Sequence, residues 1–212
     1  MTRGAYLAGG VRTPVGGLAG ALAEVPAPAL GSAVVRAALD RSGVTAAQID
    51  EVILGNVIGA GLGQNVARQA AIGAGLGVNV GATTVNKVCG SGLKAVMLAD
   101  QAIRGGGAAV VGAGGTENMT RAPYLLDKAR GGYRLGHGQL VDSLIRDGLW
   151  DVYNDLHMGM CGDRCAEKYG FSREEQDSYA IESYQRALAA GRGGAFRDEI
   201  VPVEAKAGRS VL

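Results

Sequence analysis

Three observations predict an α/β fold in which a mostly parallel, mixed sheet lies between helices. Short apolar runs alternate with helix-period segments through the first half of the chain, glycine clusters separate the two, and aromatic residues are scarce. Alternation of this kind is the pattern of a parallel sheet whose strands are each followed by a covering helix. The 36 glycines in 212 residues exceed the usual share of about 7%. Many fall between apolar runs, where backbone turns sharply or approaches another element closely. Hydrophobic residues make up 47% of the chain and aromatics only 5%, so the core has to be built from Ala, Val, Ile and Leu. That supply suits close helix–sheet packing.

The elements follow in order. "AYLAGGV" (5–11) reads as a strand, and "ALGSAVVRAALDRSG" (29–43) as a helix ended by Gly43. "EVILGNVI" (51–58) is a second strand and "QNVARQAAIGAGLG" (64–77) a helix with a glycine-frayed end. "ATTVNKV" (82–88) is a third strand, "SGLKAVMLADQAIRGG" (91–106) a helix and "AAVVGAGG" (108–115) a fourth strand. The character then changes. Residues 118–156 carry Gly131, Gly132, Gly136 and Gly138 with most of the tyrosines, and read as an irregular region of the functional-loop kind. Helices are expected through "MGMCGDRCAEKYG" (158–170) and after Ser172, which forms a capping box with Glu175. "EIVPVEA" (199–205) closes the series as a strand-like run. The division expected is a half-domain over 1–117 and a partial loop subdomain over 118–212.

Composition excludes several classes of function. Lys plus Arg is 21 against 20 for Asp plus Glu, which gives no basic field for a nucleic acid or an anionic membrane. No apolar run is long enough for a membrane span. The first residues carry neither a signal peptide's apolar core nor its cleavage site, and the chain is read as cytoplasmic. Three cysteines make no disulfide framework. Neither a Gly-x-Gly-x-x-Gly run after the first strand nor a Walker A run occurs, so dinucleotide and P-loop readings fall away.

One cysteine stands apart. In "NKVCGSGLKAV" (86–96), Cys89 marks the handover from a strand to a helix. A thiol there lies at the positive end of the helix dipole, which favours the reactive thiolate form. Gly90 and Gly92 permit a sharp turn and let a ligand approach closely. The C-terminal ends of parallel strands are also where α/β proteins bind ligands. By position alone a nucleophile and a small buried hydrophobe both fit Cys89.

The run "NKVCGSGLKAV" resembles the N-terminal signature of thiolases, enzymes that make or break a carbon–carbon bond between acyl-CoA units. "VRTPVGG" (11–17), "GQNVARQAA" (63–71), "GGTENM" (114–119), "VDSLIRDGLWDVYNDLHMG" (141–159) and "EEQDSYAIESYQRA" (174–187) resemble thiolase segments in the same order and spacing. The resemblance implies a thiolase-like βαβαβ half-domain, with Cys89 as the nucleophile that takes an acyl group as a thioester. It implies that His157, Met158 and Leu149 line the pantetheine and acyl pocket, in the manner of biosynthetic thiolases. The implied reaction joins two acetyl-CoA to give acetoacetyl-CoA and CoA, with no metal and no cofactor beyond the CoA substrates. A covalent acyl-cysteine divides that condensation into two steps. The second needs a base for the α-proton and donors for the developing oxyanions.

The sequence also departs from the family. Thiolases consist of two similar halves, and the second carries an Asn-Glu-Ala-Phe run, a Gly-His-Pro histidine that activates the nucleophile and a Cys-x-Gly-Gly-Gly acid/base cysteine. None of these runs occurs here, and the sequence stops at Leu212 inside what would be the loop subdomain. A homo-oligomer, or pairing with a thiolase C-terminal half, is therefore expected to cover an apolar helix face. Two functions stay open: an acyltransferase half, and a non-catalytic acyl-CoA-binding half that needs its complement. His157, Cys161 and Cys165 fall at i, i+4 and i+8 of one helix, but Gly159 and Gly162 interrupt the run and the spacing suits no usual zinc site. A cysteine hydrolase would need a histidine beside Cys89, and only His137 and His157 exist.

Overall fold

The computed structural model describes residues 4–205 and 209–211. The first regular element is helix α1 (Ala27–Ser42). Pro26 caps it and Pro28 sits in its first turn, where a missing N–H costs nothing. Gly43 ends it at φ 71°, donating its N–H to Leu39 O. Strand β1 (Glu51–Gly55) follows, then α2 (Val66–Gly73), β2 (Gly81–Val85), α3 (Ser91–Arg104) and β3 (Val111–Gly115).

The three strands form a parallel sheet of order β2-β1-β3. Going from β1 to β2 and then back across β1 to β3 reverses the direction of crossover. Right-handed crossovers therefore put α2 and α3 on opposite faces. On the α2 face, Val52 and Leu54 pack with Ala67, Ala70, Ala71 and Val35 into the main core. A β-carbon on Gly31 of α1 would lie 3.0 Å from the Ala70 β-carbon, so the α1–α2 contact depends on that glycine. On the other face α3 buries Ser91, Ala95 and Ala99, one stripe at i+4 spacing.

Polar side chains stitch the crossovers to the sheet. Asn65 Oδ1 caps α2 by accepting from Arg68 N at 3.1 Å, and it also accepts from Thr84 Oγ1 at 2.8 Å. Asn65 Nδ2 donates to Ala82 O. At the opposite edge, the Asp50 carboxylate accepts from Ala109 N at 2.6 Å and Val110 N at 3.0 Å, tying the entry of β1 to the entry of β3. Those two donors hold the Asp50 carboxyl below its ordinary range.

The expected strand at 5–11 does not form. Gly9 takes φ +67°, and a β-carbon there would meet Ala38 O at 2.5 Å. Arg41 Nη1 donates to Gly10 O at 2.8 Å. The glycine pair is thus drawn to the end of α1, and the pleat needed for pairing is broken at its middle. Tyr6 and Leu7 are almost fully exposed. Within the described sheet the outer edge of β3 is left open, and a cleft of about 1160 Å³ runs along it between α1, α3 and residues 4–13.

Beyond β3 the expected irregular region holds only short pieces. Strand β4 (Tyr124–Leu125) pairs antiparallel with β5 (Val141–Asp142), and a π-helical turn spans Leu144–Leu149. Strand β6 (Trp150–Asp151) pairs with β7 (Leu156–His157). Helices α4 (Met158–Tyr169) and α5 (Arg173–Arg192) come next. The Ser172 capping box is present in both directions: Glu175 N donates to Ser172 Oγ at 3.1 Å and Ser172 N to Glu175 Oε2 at 2.8 Å. Neither α4 nor α5 has a buried residue. The closing pair β8 (Val203–Ala205) and β9 (Arg209–Val211) turns Val203 into a second core with Leu22, Val25 and Leu30. Arg12 fixes that return, with Nε 2.6 Å from Glu199 Oε1 and its main chain bridging Glu199 and Val201. No helix among the described residues is long and apolar enough to cross a membrane.

Candidate active site

The register aligns Gly55, Val85 and Gly115 at one end of the sheet. The three continuations, 56–58, 86–91 and 116–118, therefore leave the carboxyl edge side by side, where α/β sheets place their ligand sites. They are knitted together. Asn56 N donates to Val85 O and Thr116 N to Gly55 O. Asn56, buried at 5% exposure, donates through Nδ2 to Thr116 O at 3.1 Å and Glu117 Oε1 at 2.9 Å. Glu117 Oε2 accepts from Val57 N at 2.8 Å and Ile58 N at 3.3 Å. Both carboxylate oxygens of Glu117 are thus spent on holding the loop after β1.

Cys89 stands on the neighbouring elbow, with Gly90 as the N-cap of α3. The thiol is free and exposed, so packing as a small buried hydrophobe does not explain it. Val88, just before it, has φ 49°, a conformation that is unusual for any β-branched residue. Asn86 Oδ1 accepts from Val88 N at 2.9 Å, and Asn86 Nδ2 donates to Val57 O at 3.3 Å. Ser91, at 4% exposure, accepts from Lys87 N at 2.8 Å and returns its hydroxyl hydrogen to Val88 O. Two glycines let the elbow sit down on the sheet. A β-carbon on Gly55 would come within 2.6 Å of the Ser91 carbonyl carbon, and one on Gly115 within 3.4 Å of Gly92 Cα.

The other predicted residues cluster on the β6–β7 hairpin. Leu149 ends the π-helical turn next to Trp150, whose register partner is His157. Leu149 and His157 are half-buried and Met158 is exposed. His157 is the N-cap of α4, and its Nδ1 accepts from Gly159 N at 3.0 Å, which leaves Nε2 to carry the proton of the neutral ring. The hairpin turn is held by Asp151, whose carboxylate takes Asn154 Nδ2 at 2.6 Å and the backbone N–H groups of Tyr153 and Asn154. Those bonds, the Asn154 side chain first, hold the Asp151 carboxyl below its ordinary range.

The elbow and the turn before the hairpin share one neighbour, the 56–58 loop. Asn86 bonds Val57, while a β-carbon on Gly148, in the turn before the hairpin, would touch Ile58 Cδ1 at 3.3 Å. Asn56, Glu117, Asn86 and Ser91 are the supporting residues that sequence reasoning missed. The available signal was a polar side chain inside or at the end of an apolar strand run, as in "ILGNVI" and "GGTENM". The cleft along β3 and a second of about 500 Å³ near Thr13–Leu18 are lined by neither residues 86–92 nor the hairpin residues. Among the described residues no group of three or more His, Cys, Asp or Glu side chains is placed to hold a metal ion. Cys161 and Cys165 are exposed on α4.

Residues 5–211 match the family of the thiolase N-terminal domain. The chain belongs to the thiolase family. Among its relatives, an acetyl-CoA acetyltransferase of Pseudomonas aeruginosa is 59% identical over 193 residues, 91% of this chain and 49% of the relative. Acetyl-CoA acetyltransferase 2 of Arabidopsis thaliana is 53% identical over 207 residues, covering 98% of this chain and 51% of that protein. A probable acetyl-CoA acetyltransferase of Escherichia coli is 54% identical over 197 residues, 93% of this chain and 50% of the relative. This thiolase chain spans about half the length of the curated relatives it matches.

Proposed function

We propose that this chain is the nucleophile-bearing half of a thiolase-type acyltransferase and that Cys89 carries the acyl group. The observation behind this reading is the exposed Cys89 on a tight elbow at the carboxyl edge of the sheet, just before the N-cap of α3. The Cys89 thiolate attacks the thioester carbonyl of an acyl-CoA, the tetrahedral adduct expels the CoA thiolate, and a proton completes free CoA. The relatives' names favour acetyl-CoA as the acyl donor, with acetoacetyl-CoA as the product of condensation. In this reading Leu149, His157 and Met158, in and beside the hairpin, are the acyl and pantetheine contacts. The supporting link is the 56–58 loop, which Asn86 of the elbow bonds and Gly148, next to Leu149, approaches.

Condensation requires removal of an α-proton from a second thioester, and in this reading a complementary thiolase half supplies that base. A contact surface for it exists on α3. Leu93 and Met97 are 69% and 46% exposed and lie on the side opposite the buried Ser91–Ala95–Ala99 stripe. Pairing through that face, with a complementary half or with a second copy, is part of the proposal. A cytoplasmic location is also part of it, resting on three free thiols that suit a reducing compartment.

The deciding experiment is intact mass spectrometry of the chain after incubation with acetyl-CoA, beside a Cys89→Ala control. One acetyl group that is lost in the control supports a self-sufficient first half-reaction. A folded chain with no Cys89-dependent adduct favours the alternative, a binding half that needs its complement even for acylation.

A further inference from the structure

We propose that Asn86 and Ser91 act together as positioning residues for Cys89, clamping the peptide before it into a strained conformation that presents the thiol. This inference rests on the reading of Cys89 as the nucleophile. Val88 is held at φ 49°, where a branched side chain crowds its own backbone and which a chain left free would abandon. Such a conformation persists only when its surroundings over-determine it. Here they do so from both sides of one residue. The Val88 N–H is taken by Asn86 Oδ1. The Val88 carbonyl is taken by the Ser91 hydroxyl and by the Ser91 N–H at 3.1 Å. Ser91 Oγ also accepts from Lys87 N, so a single buried hydroxyl binds the residues on both sides of the Lys87–Val88 peptide.

Each arm is anchored in the rest of the edge network. Asn86 Nδ2 donates to Val57 O, in the loop that Glu117 holds. Ser91 is pressed against Gly55. With Val88 fixed, the next residue leaves the elbow in one direction only, outward at the start of α3. A relaxed Val88 would swing Cys89 away from the helix end and from the carboxyl edge. Neither Asn86 nor Ser91 touches reacting atoms in this role; both act through Val88.

The test is alkylation of the full chain by iodoacetamide, with the modification rate of each cysteine read by peptide mass spectrometry. Cys161 and Cys165 are exposed on α4 and serve as internal references in the same molecule. Asn86→Ala and Ser91→Ala are expected to slow Cys89 by roughly tenfold or more, while Cys161 and Cys165 in the same molecule keep their rates. Asn86→Ser, whose hydroxyl can still accept from the N–H two residues on, is expected to recover much of the rate. A Cys89 rate unmoved by both alanine substitutions overturns the clamp. If Ser91→Ala does not fold, Asn86→Ala decides alone, because Asn86 is exposed. A Cys89 that acetyl-CoA leaves unmodified even with a complementary thiolase half present sinks the nucleophile reading itself. A fast Cys89 indifferent to both substitutions sinks only the clamp.

Discussion

Gly55 and Ser91 are in backbone contact: a β-carbon on Gly55 would lie 2.6 Å from the Ser91 carbonyl carbon and 2.7 Å from Gly92 N. The end of β1 thus supports the elbow that carries Cys89, and the support works only because position 55 has no side chain. The neighbouring atoms are backbone at the start of a helix, which moves only as a unit. Gly55→Ala is expected to destabilise the chain by about 1–3 kcal/mol, the usual cost of overpacking. It should also slow Cys89 alkylation while Cys161 and Cys165 keep their rates. Urea melts and cysteine-resolved alkylation measure the two effects.

Glu117 uses both oxygens as acceptors, one for Asn56 Nδ2 and the other for two backbone N–H groups. Glu117→Gln keeps the shape but replaces one acceptor by a donor. Whichever way the amide turns, donors face donors in a half-buried place. The expected loss is about 1–3 kcal/mol, read as a lower urea midpoint with an unchanged slope. An unchanged midpoint would show that water satisfies the 56–58 loop equally well.

Asp50 predicts a pH dependence. Its carboxyl lies below the ordinary value of 3.8, chiefly through the Ala109 N–H and then that of Val110, against a smaller opposing effect of burial. A carboxyl lowered in the folded state stabilises that state above the unfolded value and loses the contribution as pH falls through the folded one. Asp50→Asn is therefore expected to melt earlier than the parent chain at pH 7. The gap between the two should close as the pH falls below 3.8. A gap independent of pH would assign the effect to lost geometry alone.

The α3 surface gives a fourth prediction. Leu93 and Met97 are exposed large apolar side chains one turn apart. Replacing both by lysine should change stability by no more than about 0.5 kcal/mol, as is usual for surface positions. The same change should abolish self-association or binding of a complementary half in sedimentation experiments. Association that survives both lysines would place the contact elsewhere.

Legibility varied along the chain for identifiable reasons. The helices of the half-domain were readable because each has a buried stripe and a local stop, such as the left-handed Gly43 after α1. The Ser172–Glu175 capping box was readable because both its bonds span three residues. The 5–11 segment was misread because its apolar character suits a strand, while the Gly9–Gly10 break and the Arg41 bond to Gly10 come from α1, thirty residues away. At the site, Cys89 and its glycines were visible, and the exposure of the thiol was not. Asn56, Asn86, Ser91 and Glu117 escaped notice because their roles depend on strands that are distant in sequence.

By itself the sequence determined the parallel α/β class, the strand-to-helix position of Cys89 and the resemblance to thiolases, because these rest on local periodicity and short contiguous runs. Only the tertiary structure decided that three strand ends meet at one edge and that Glu117 and Asn56 lock them together. It also decided that Ser91 and Asn86 hold Val88, the residue before Cys89. The physical reason is range. A periodic pattern is set by neighbours within a turn or two, whereas a hydrogen bond across sixty residues exists only once the sheet has set its register.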